Sequence, residues 1–205
     1  TKHMKSALEP HLGSDKKVLD FGCGDGGVTL SFSRHVGEIV GVDPFGEAIE
    51  KFNKKMEPNA TCAYAAPNTR ALQVDLVAQP LSEQAEKFFQ ENEESFDVVL
   101  SSLAFHHIEH VDHTLKSLYR LVKKDGLVCF CDIVKKENST FYHPTGPNIP
   151  HVYHLQGFTV EQMTQWLQDS GFVDIHFELF TIEDMGVSHL HTEAFPLFMV
   201  MAKKL

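Results

Sequence analysis

Residues 18–27 read VLDFGCGDGG. The stretch places four glycines, Gly22, Gly24, Gly26 and Gly27, directly after a short apolar run. An apolar run that ends in glycines is typical of a buried strand followed by a tight turn. Glycine loses more backbone entropy on folding than any other residue, so a cluster of glycines needs a physical reason. We therefore predict that the backbone after this strand turns sharply and comes close to a ligand.

Strand and helix patterns alternate along the rest of the chain. The predicted strands span residues 17–21, 38–43, 70–76, 96–103, 127–134, 172–181 and 195–202. The predicted helices span residues 28–36, 46–57, 82–92, 112–124 and 159–170. This alternation predicts right-handed crossovers and a parallel sheet that is covered on both faces. The expected fold class is α/β, a Rossmann-like seven-stranded, mostly parallel sheet with helices on both faces and an antiparallel C-terminal strand pair.

Several polar residues and glycines predict where the helices begin and end. Ser82 and Asp112 are predicted N-caps, and Thr159 opens a capping box. Asp125-Gly126 is predicted to stop the helix over 112–124, and Gly171 to stop the last helix. Residues 135–157 contain three prolines and show no period, which is typical of a lid or of a disordered segment, and we expect a lid. We expect residues 1–205 to form a single domain, in which the N-terminal cover before residue 17 is short, disordered or removed.

The composition limits the class of partner. The chain has 18 Lys and Arg against 28 Asp and Glu, a formal net charge of −10. Such a charge repels phosphate backbones, so we expect no nucleic-acid substrate. The sequence contains no apolar run of roughly 20 residues and no signal-like N-terminus, so we expect a cytoplasmic protein without a membrane partner. The four cysteines form no CxxC pair and are expected to be reduced, and no bound metal is predicted.

The glycine loop and one acidic residue predict a nucleoside site. In open α/β sheets, ligands bind beyond the carboxyl ends of the strands, where this loop lies. Asp43 ends the second predicted strand, 21 residues after Gly22, and a carboxylate there can accept hydrogen bonds from ribose hydroxyls. The glycines also satisfy the dinucleotide pattern G-x-G-x-x-G, which leaves an NAD(P)-binding oxidoreductase as an alternative. Asp20 and Asp25 argue against it, because acids beside the loop disfavour a pyrophosphate.

Five segments in order resemble the class I S-adenosylmethionine (SAM)-dependent methyltransferases. VLDFGCGDGG is similar to their motif I, and IVGVD at 39–43 to their second motif. QVDL at 73–76 resembles the adenine-contacting segment, and FDVVLSSLAFHHI at 96–108 the fourth-strand motif. LYRLVKKDGLVCFCD at 118–132 resembles their helix followed by the fifth strand. The chain looks most like the ubiquinone/menaquinone-biosynthesis-like group, often called methyltransferase domain 11. The resemblance implies SAM as cofactor and S-adenosylhomocysteine as product.

The resemblance also implies which residues touch the cofactor. Asp43 would accept from the ribose hydroxyls, and Asp75 from the adenine amino group. The implied cofactor-binding set is Asp20, Gly22, Cys23, Gly24, Gly26, Asp43, Pro44, Phe45, Asp75, Leu76, Ser101 and Ser102. Asp20, Gly22 and Gly24 would hold the methionine part of SAM, with the Cys23 backbone beside it. Ser101 and Ser102 would line the path near the methyl group.

Two groups of residues are candidates for contact with the methyl acceptor. His106 and His107 follow the fourth strand, where a histidine can position the acceptor or act as a general base. Either histidine can instead simply pack against the next helix. Tyr142, His143, His151 and His154 lie in the predicted lid and are expected to line an acceptor pocket. The predicted function is methyl transfer from SAM to a small molecule, with a non-catalytic SAM-binding module as a further alternative.

Overall fold

The protein is described here from a computed structural model, which describes residues 1–57, 66–135, 152–182 and 195–205. The described residues form a seven-stranded sheet of order β3-β2-β1-β4-β5-β7-β6. Its strands are β1 Gly13–Phe21, β2 Val36–Asp43, β3 Thr69–Gln73, β4 Phe96–Ser102, β5 Val122–Ile133, β6 Val173–Ile182 and β7 Phe195–Lys203. The helices are α1 Lys2–Leu8, α2 Gly27–Phe32, α3 Gly46–Met56, α4 Glu83–Asn92, α5 Val111–Leu121 and α6 Val160–Asp169. The predicted fold class is confirmed.

One strand of the sheet, β7, runs in the direction opposite to the other six. β1 pairs in parallel with β2 and with β4, and β4 pairs in parallel with β5. β7 is antiparallel to both β5 and β6. The chain order reverses at β1 and β4, so the loops after these two strands lie on either side of the crevice where such sheets bind ligands. The glycine loop follows β1, which places it at this crevice.

The apolar strands pack helices on both faces. Leu19, Phe21, Val40 and Val42 share one buried cluster with residues of α4 and α5. The other face of the sheet carries a second cluster, in which Val18 and Ile39 pack with Met4 and Leu8 of α1 and with Phe32 of α2. The N-terminal residues thus form a helix whose apolar side is buried. Among the described residues, no helix is long and apolar enough to cross a membrane.

The ends of α5 differ from the sequence prediction. Helix α5 begins at Val111 behind His110, which makes no side-chain cap, so the prediction of Asp112 as N-cap was wrong. The helix ends at Leu121 rather than at residue 124, because the following residues enter β5. Asp125 N–H donates to the Lys204 carbonyl, and Lys204 N–H donates to the Gly126 carbonyl. Pairing with the C-terminal segment therefore overrides the local helix signal.

Other predicted boundaries are confirmed. Ser82 accepts a hydrogen bond from Ala85 N–H, and Thr159 accepts one from Gln162 N–H. Gly171, with φ +97°, ends the turn after α6. Cys23, Cys129 and Cys131 are free thiols, as expected, whereas Cys62 lies outside the described residues.

Candidate active site

The glycine loop after β1 is built from left-handed backbone. Gly24 has φ +53° and Gly26 has φ +84°. A Cβ atom on Gly26 would lie 2.3 Å from the Phe52 ring, so packing against α3 requires this glycine. A Cβ atom on Gly24 would meet no atom within 4 Å. The protein itself therefore leaves open space beside Gly24, which is what a site for a closely approaching ligand needs.

Hydrogen bonds from β2 hold this loop in place. The N–H groups of Gly22 and Cys23 donate to the Val42 carbonyl at 2.9 and 3.0 Å. Cys23 is buried, and burial raises the pKa of its thiol, which keeps it protonated and unreactive. At Gly22, a Cβ atom would lie 2.5 Å from the Ala104 Cβ, so the loop after β4 is in direct contact with the glycine loop.

The Asp43 carboxylate lies at the end of β2 and joins the two neighbouring loops. Its Oδ2 accepts from Gly24 N–H at 2.9 Å, and its Oδ1 accepts from Phe45 N–H at 3.0 Å. The side chain is buried, with 7% of the residue exposed. Each carboxylate oxygen can accept more than one hydrogen bond, so this geometry still allows Asp43 to accept from ligand hydroxyls.

Asp20 is a buried acid at the other side of the loop. Only 1% of Asp20 is exposed, and its Oδ2 accepts a hydrogen bond from Thr29 Oγ1. Burial raises the pKa of Asp20 to about 7, although the hydrogen bond from Thr29 acts in the opposite direction. A cation bound next to this carboxyl would favour its ionised form.

The predicted adenine contacts lie beside Asp43. Pro44 and Phe45 are exposed, and 56% of Phe45 is accessible. Asp75 and Leu76 follow the end of β3. Asp75 Oδ1 accepts from the N–H groups of Val77 and Ala78 at 2.9 and 3.0 Å, while the Leu76 side chain is buried. The segment after β3 is thus a fixed turn rather than part of the strand.

The two serines at the end of β4 have different surroundings. Ser101 is fully buried, and its Oγ donates to the Phe21 carbonyl at 2.7 Å. This bond ties β4 to β1 beneath the glycine loop. Ser102 is half-buried at the strand end. Leu103 follows it with φ +57°, a backbone conformation that is uncommon for leucine and that turns the chain at the crevice.

His106 forms a buried pair with Asp132, a residue that the sequence analysis missed. His106 lies in the 3-10 turn Phe105–His107, and its Nδ1 is 2.8 Å from Asp132 Oδ1. His106 is 3% exposed and Asp132 is fully buried. Asp132 stands near the end of β5, as the single acid in the apolar run 127–134. That isolated charge in a buried strand was the available signal.

Of the other residues predicted to contact the methyl acceptor, only His107 and His154 lie among the described residues. His107 lies beside His106, with ring centroids 4.1 Å apart. Tyr153 and His154 both donate their backbone N–H groups to the His106 carbonyl. The other three lid residues, Tyr142, His143 and His151, lie outside the described residues. Within the described part of the chain, no group of His, Cys, Asp and Glu side chains has the arrangement of a metal site.

Comparison with known proteins places the chain in a family. A family model described as a methyltransferase domain matches residues 2–176. The chain belongs to the methyltransferase-domain family. The resemblance to class I SAM-dependent methyltransferases is therefore confirmed, and SAM is the cofactor that this family assignment supports.

Curated relatives and solved structures agree with the assignment. An uncharacterized methyltransferase of Schizosaccharomyces pombe is 28% identical over 153 residues, 73% of this chain and 51% of that protein. The mitochondrial ubiquinone biosynthesis O-methyltransferase of Mus musculus is 26% identical, over 66% of this chain and 34% of that protein. The YcgJ protein of Bacillus subtilis has the same fold, with a TM-score of 0.70 at 16% identity over 100% of this chain and 99% of its own. The chain spans about half the length of the first curated relatives it matches.

Proposed function

We propose that the chain is a SAM-dependent methyltransferase that transfers a methyl group to a small-molecule acceptor. The observation that carries the proposal is the position of the Asp43 carboxylate. It binds Gly24 N–H on one side and Phe45 N–H on the other, directly beside the open space at Gly24. An acid at the end of β2 that also fixes the glycine loop suits a ligand with a ribose and a tail that runs along the loop.

The described residues fit SAM part by part. Asp43 would accept from the ribose hydroxyls, and the exposed Phe45 ring offers a face to the adenine. Asp75 and the Leu76 N–H would contact the adenine edge. Asp20 would interact with the ammonium group of the methionine part. When bound, SAM supplies a methyl group that is already activated as a sulfonium, so the protein mainly has to align the acceptor with it.

The charge of the chain supports a small acceptor. The formal net charge of −10 disfavours a nucleic-acid backbone. One curated relative, the mouse ubiquinone biosynthesis O-methyltransferase, is named for a small-molecule pathway. These two observations both favour a small-molecule acceptor.

The alternatives make different predictions for binding and turnover. An NAD(P)-dependent oxidoreductase would bind a pyrophosphate beside Asp20 and Asp25, where two acids oppose it. A non-catalytic module would bind SAM without consuming it. The purified chain should be incubated with methyl-labelled SAM and the low-mass fraction of a cell extract. Label in a small molecule supports the proposal, whereas SAM binding with no transfer to any fraction supports the non-catalytic module.

A further inference from the structure

Residues 152–158 form a strap that lies across the turn after β4. The N–H groups of Tyr153 and His154 both donate to the His106 carbonyl, at 3.0 and 3.1 Å. At the other end of the strap, Phe158 N–H donates to the Ile133 carbonyl of β5 at 2.9 Å. Main-chain hydrogen bonds therefore hold the strap at both of its ends, at the carboxyl end of the sheet.

A left-handed glycine lets the strap come close to β5. Gly157 has φ +75°, and a Cβ atom on it would lie 2.3 Å from the Ile133 carbonyl oxygen. Its N–H donates to the His154 carbonyl at 2.9 Å, which turns the strap back toward the sheet. The backbone contact leaves no room for a side chain at this position, so the strap is closely fitted to the end of β5.

The His154 ring is part of an aromatic cluster between the strap, α6 and β7. Its centroid lies 4.7 Å from that of Phe158 and 6.3 Å from that of Trp166. Phe158 is fully buried and also contacts Trp166, at 6.0 Å, and Phe198 of β7, at 6.4 Å. The histidine ring therefore helps to pack the strap against the rest of the protein.

One nitrogen of this ring is buried without a partner. His154 Nε2 makes no hydrogen bond, and it is the single buried side-chain polar atom of this kind in the described part of the chain. In a neutral ring this nitrogen can keep a bare lone pair. An imidazolium would instead place a charged N–H among aromatic rings with no acceptor, which is costly. The docked strap therefore favours a neutral His154.

The groups that face His154 have opposing effects on its charge. Burial lowers the pKa of His154, whereas its contacts with the backbone of Ile108 and Glu109 raise it. The Asp132 carboxylate of β5 also favours the charged ring, and positive charge on His106 disfavours it. The aromatic neighbours from the strap and α6 bring no charge. Burial is the largest of these effects, so the pKa lies below its ordinary value.

We propose that the strap stays docked while His154 is neutral and is released when that ring takes up a proton. The released ring can hydrate both of its N–H groups, which the docked ring cannot. Because the docked strap binds fewer protons, docking is strongest above the ordinary histidine pKa of 6.5 and weakens as pH falls below it. The strap is thus an acid-sensitive element of the fold.

Release of the strap has a consequence for methyl transfer, and this part of the inference rests on the proposed function. The strap holds the main chain of the turn that contains His106. Ala104, two residues earlier, is the residue that a Cβ atom on Gly22 would strike, so this turn borders the glycine loop. Loosening the strap frees the turn beside the proposed cofactor site, and we expect transfer to fall in acid for this reason.

The first test uses Trp166, the single tryptophan of the chain. A nearby imidazolium quenches tryptophan emission, and release of the strap exposes the Trp166 ring, so emission reports on His154. Emission of the ligand-free chain is followed from about pH 8 to about pH 5. We expect a transition with its midpoint below 6.5 in the parent protein and none in His154→Phe, which keeps an aromatic ring but cannot take up a proton. His113→Gln changes an exposed histidine and should keep the transition of the parent protein.

The second test reads the strap directly and does not depend on a variant. Amide hydrogen exchange of the ligand-free parent protein is measured by NMR, together with titration of the assigned His154 ring nitrogens. We expect the protection factors of the Tyr153 and His154 amides to fall at least about tenfold between pH 7.5 and pH 5, in step with protonation of the ring. The Gly22 amide, which donates to the Val42 carbonyl, is the internal reference and should keep its protection.

The outcomes separate the strap from the proposed function. An emission transition that persists in His154→Phe, a His154 ring that takes up a proton while both strap amides stay protected, or no change above pH 5 overturns the inference. Transfer from labelled SAM to the low-mass extract fraction is then compared at pH 5.5 and pH 7.5. We expect the ratio of the two rates to be at least about threefold higher in His154→Phe than in the parent protein, and an equal ratio overturns the link to transfer. No transfer by either protein at any pH contradicts the proposed function, whereas emission and exchange decide the strap without an acceptor.

Discussion

The Asp43 carboxylate accepts a hydrogen bond from Gly24 N–H at 2.9 Å, so the acid at the end of β2 also fixes the loop that follows β1. The same side chain holds Phe45 N–H through its other oxygen. One buried residue thereby sets the distance between a glycine loop and an exposed aromatic ring. The proposed cofactor site is organised around this contact.

Replacing Asp43 should weaken cofactor binding more than it weakens the fold. Asp43→Ala removes the proposed ribose acceptor together with two bonds to backbone N–H groups. Hydrogen bonds to a charged group contribute about 1.5–3 kcal/mol each, so we expect S-adenosylhomocysteine to bind at least about tenfold more weakly. Calorimetry measures the affinity and thermal unfolding checks the fold. Asp15→Ala, at an exposed acid, is the matched control, and equal affinity in the two variants would remove Asp43 from the site.

Two glycine substitutions should separate binding from folding. Gly24→Ala adds a methyl group in open space, so only the left-handed backbone conformation opposes it. We expect the free energy of unfolding to fall by about 1–2 kcal/mol. Gly26→Ala causes the same kind of backbone strain and adds a clash with the Phe52 ring. We expect it to lower the free energy of unfolding by about 2–4 kcal/mol. Denaturant titration measures both losses. Gly24→Ala should nevertheless lower the affinity for S-adenosylhomocysteine at least about tenfold, and full affinity in this variant would show that the ligand stays away from Gly24.

Asp20→Asn should stabilise the ligand-free protein at high pH. Because its pKa is raised to about 7, Asp20 stays protonated in the folded protein up to about pH 7, whereas the unfolded chain releases this proton near the ordinary aspartate pKa of 3.8. The folded state therefore binds more protons between these values, and this residue makes stability fall as pH rises. Relative to the parent protein, we expect the free energy of unfolding of Asp20→Asn to be higher by roughly 1–4 kcal/mol at pH 8 and to differ little at pH 4. Unfolding of both proteins at several pH values tests this, and a gain that does not vary with pH would contradict the buried-acid explanation.

Cofactor affinity should depend on pH through the same carboxyl group. Because the ammonium group is proposed to favour ionised Asp20, binding below about pH 7 must release its proton. We expect S-adenosylhomocysteine to bind several-fold more weakly at pH 6 than at pH 7.5, with proton release detectable in buffers of different ionisation enthalpy. Adenosine, which lacks the amino-acid part, is the control, and its affinity should change little between pH 6 and pH 7.5. Equal pH dependence for both ligands would argue against Asp20 as the ammonium partner.

The sheet could be predicted from the sequence because its signals are local. Each core strand is a short apolar run. Runs such as VLDF and IVGVD are apolar on both sides of the strand, which predicts a sheet with helices on both faces whatever the rest of the sequence. The end of α5 could not be predicted, since the contact between Asp125 and Lys204 joins residues that are far apart in the chain. Helix α1 went unrecognised for a similar reason. Its helical character depends on burying Met4 and Leu8 against the sheet.

The positions of the proposed cofactor residues in the fold were easier to predict than the contacts of the acceptor candidates. Asp20, Asp43 and the glycine loop lie at the ends of β1 and β2, as the spacing of the apolar runs predicts. The sequence could not reveal that Ser101 bonds to the Phe21 carbonyl, or that Asp132 pairs with His106 across 26 positions. Those contacts depend on the register between β4 and its neighbours, which a single sequence does not specify.

Calorimetric titration of the chain with S-adenosylhomocysteine and with NAD tests the central claim most directly. We predict that S-adenosylhomocysteine binds at one site per chain, that SAM binds comparably, and that NAD does not bind. Saturable binding of NAD, or no binding of either adenosine compound to the folded chain, would contradict the assignment of this loop as a methyl-donor site.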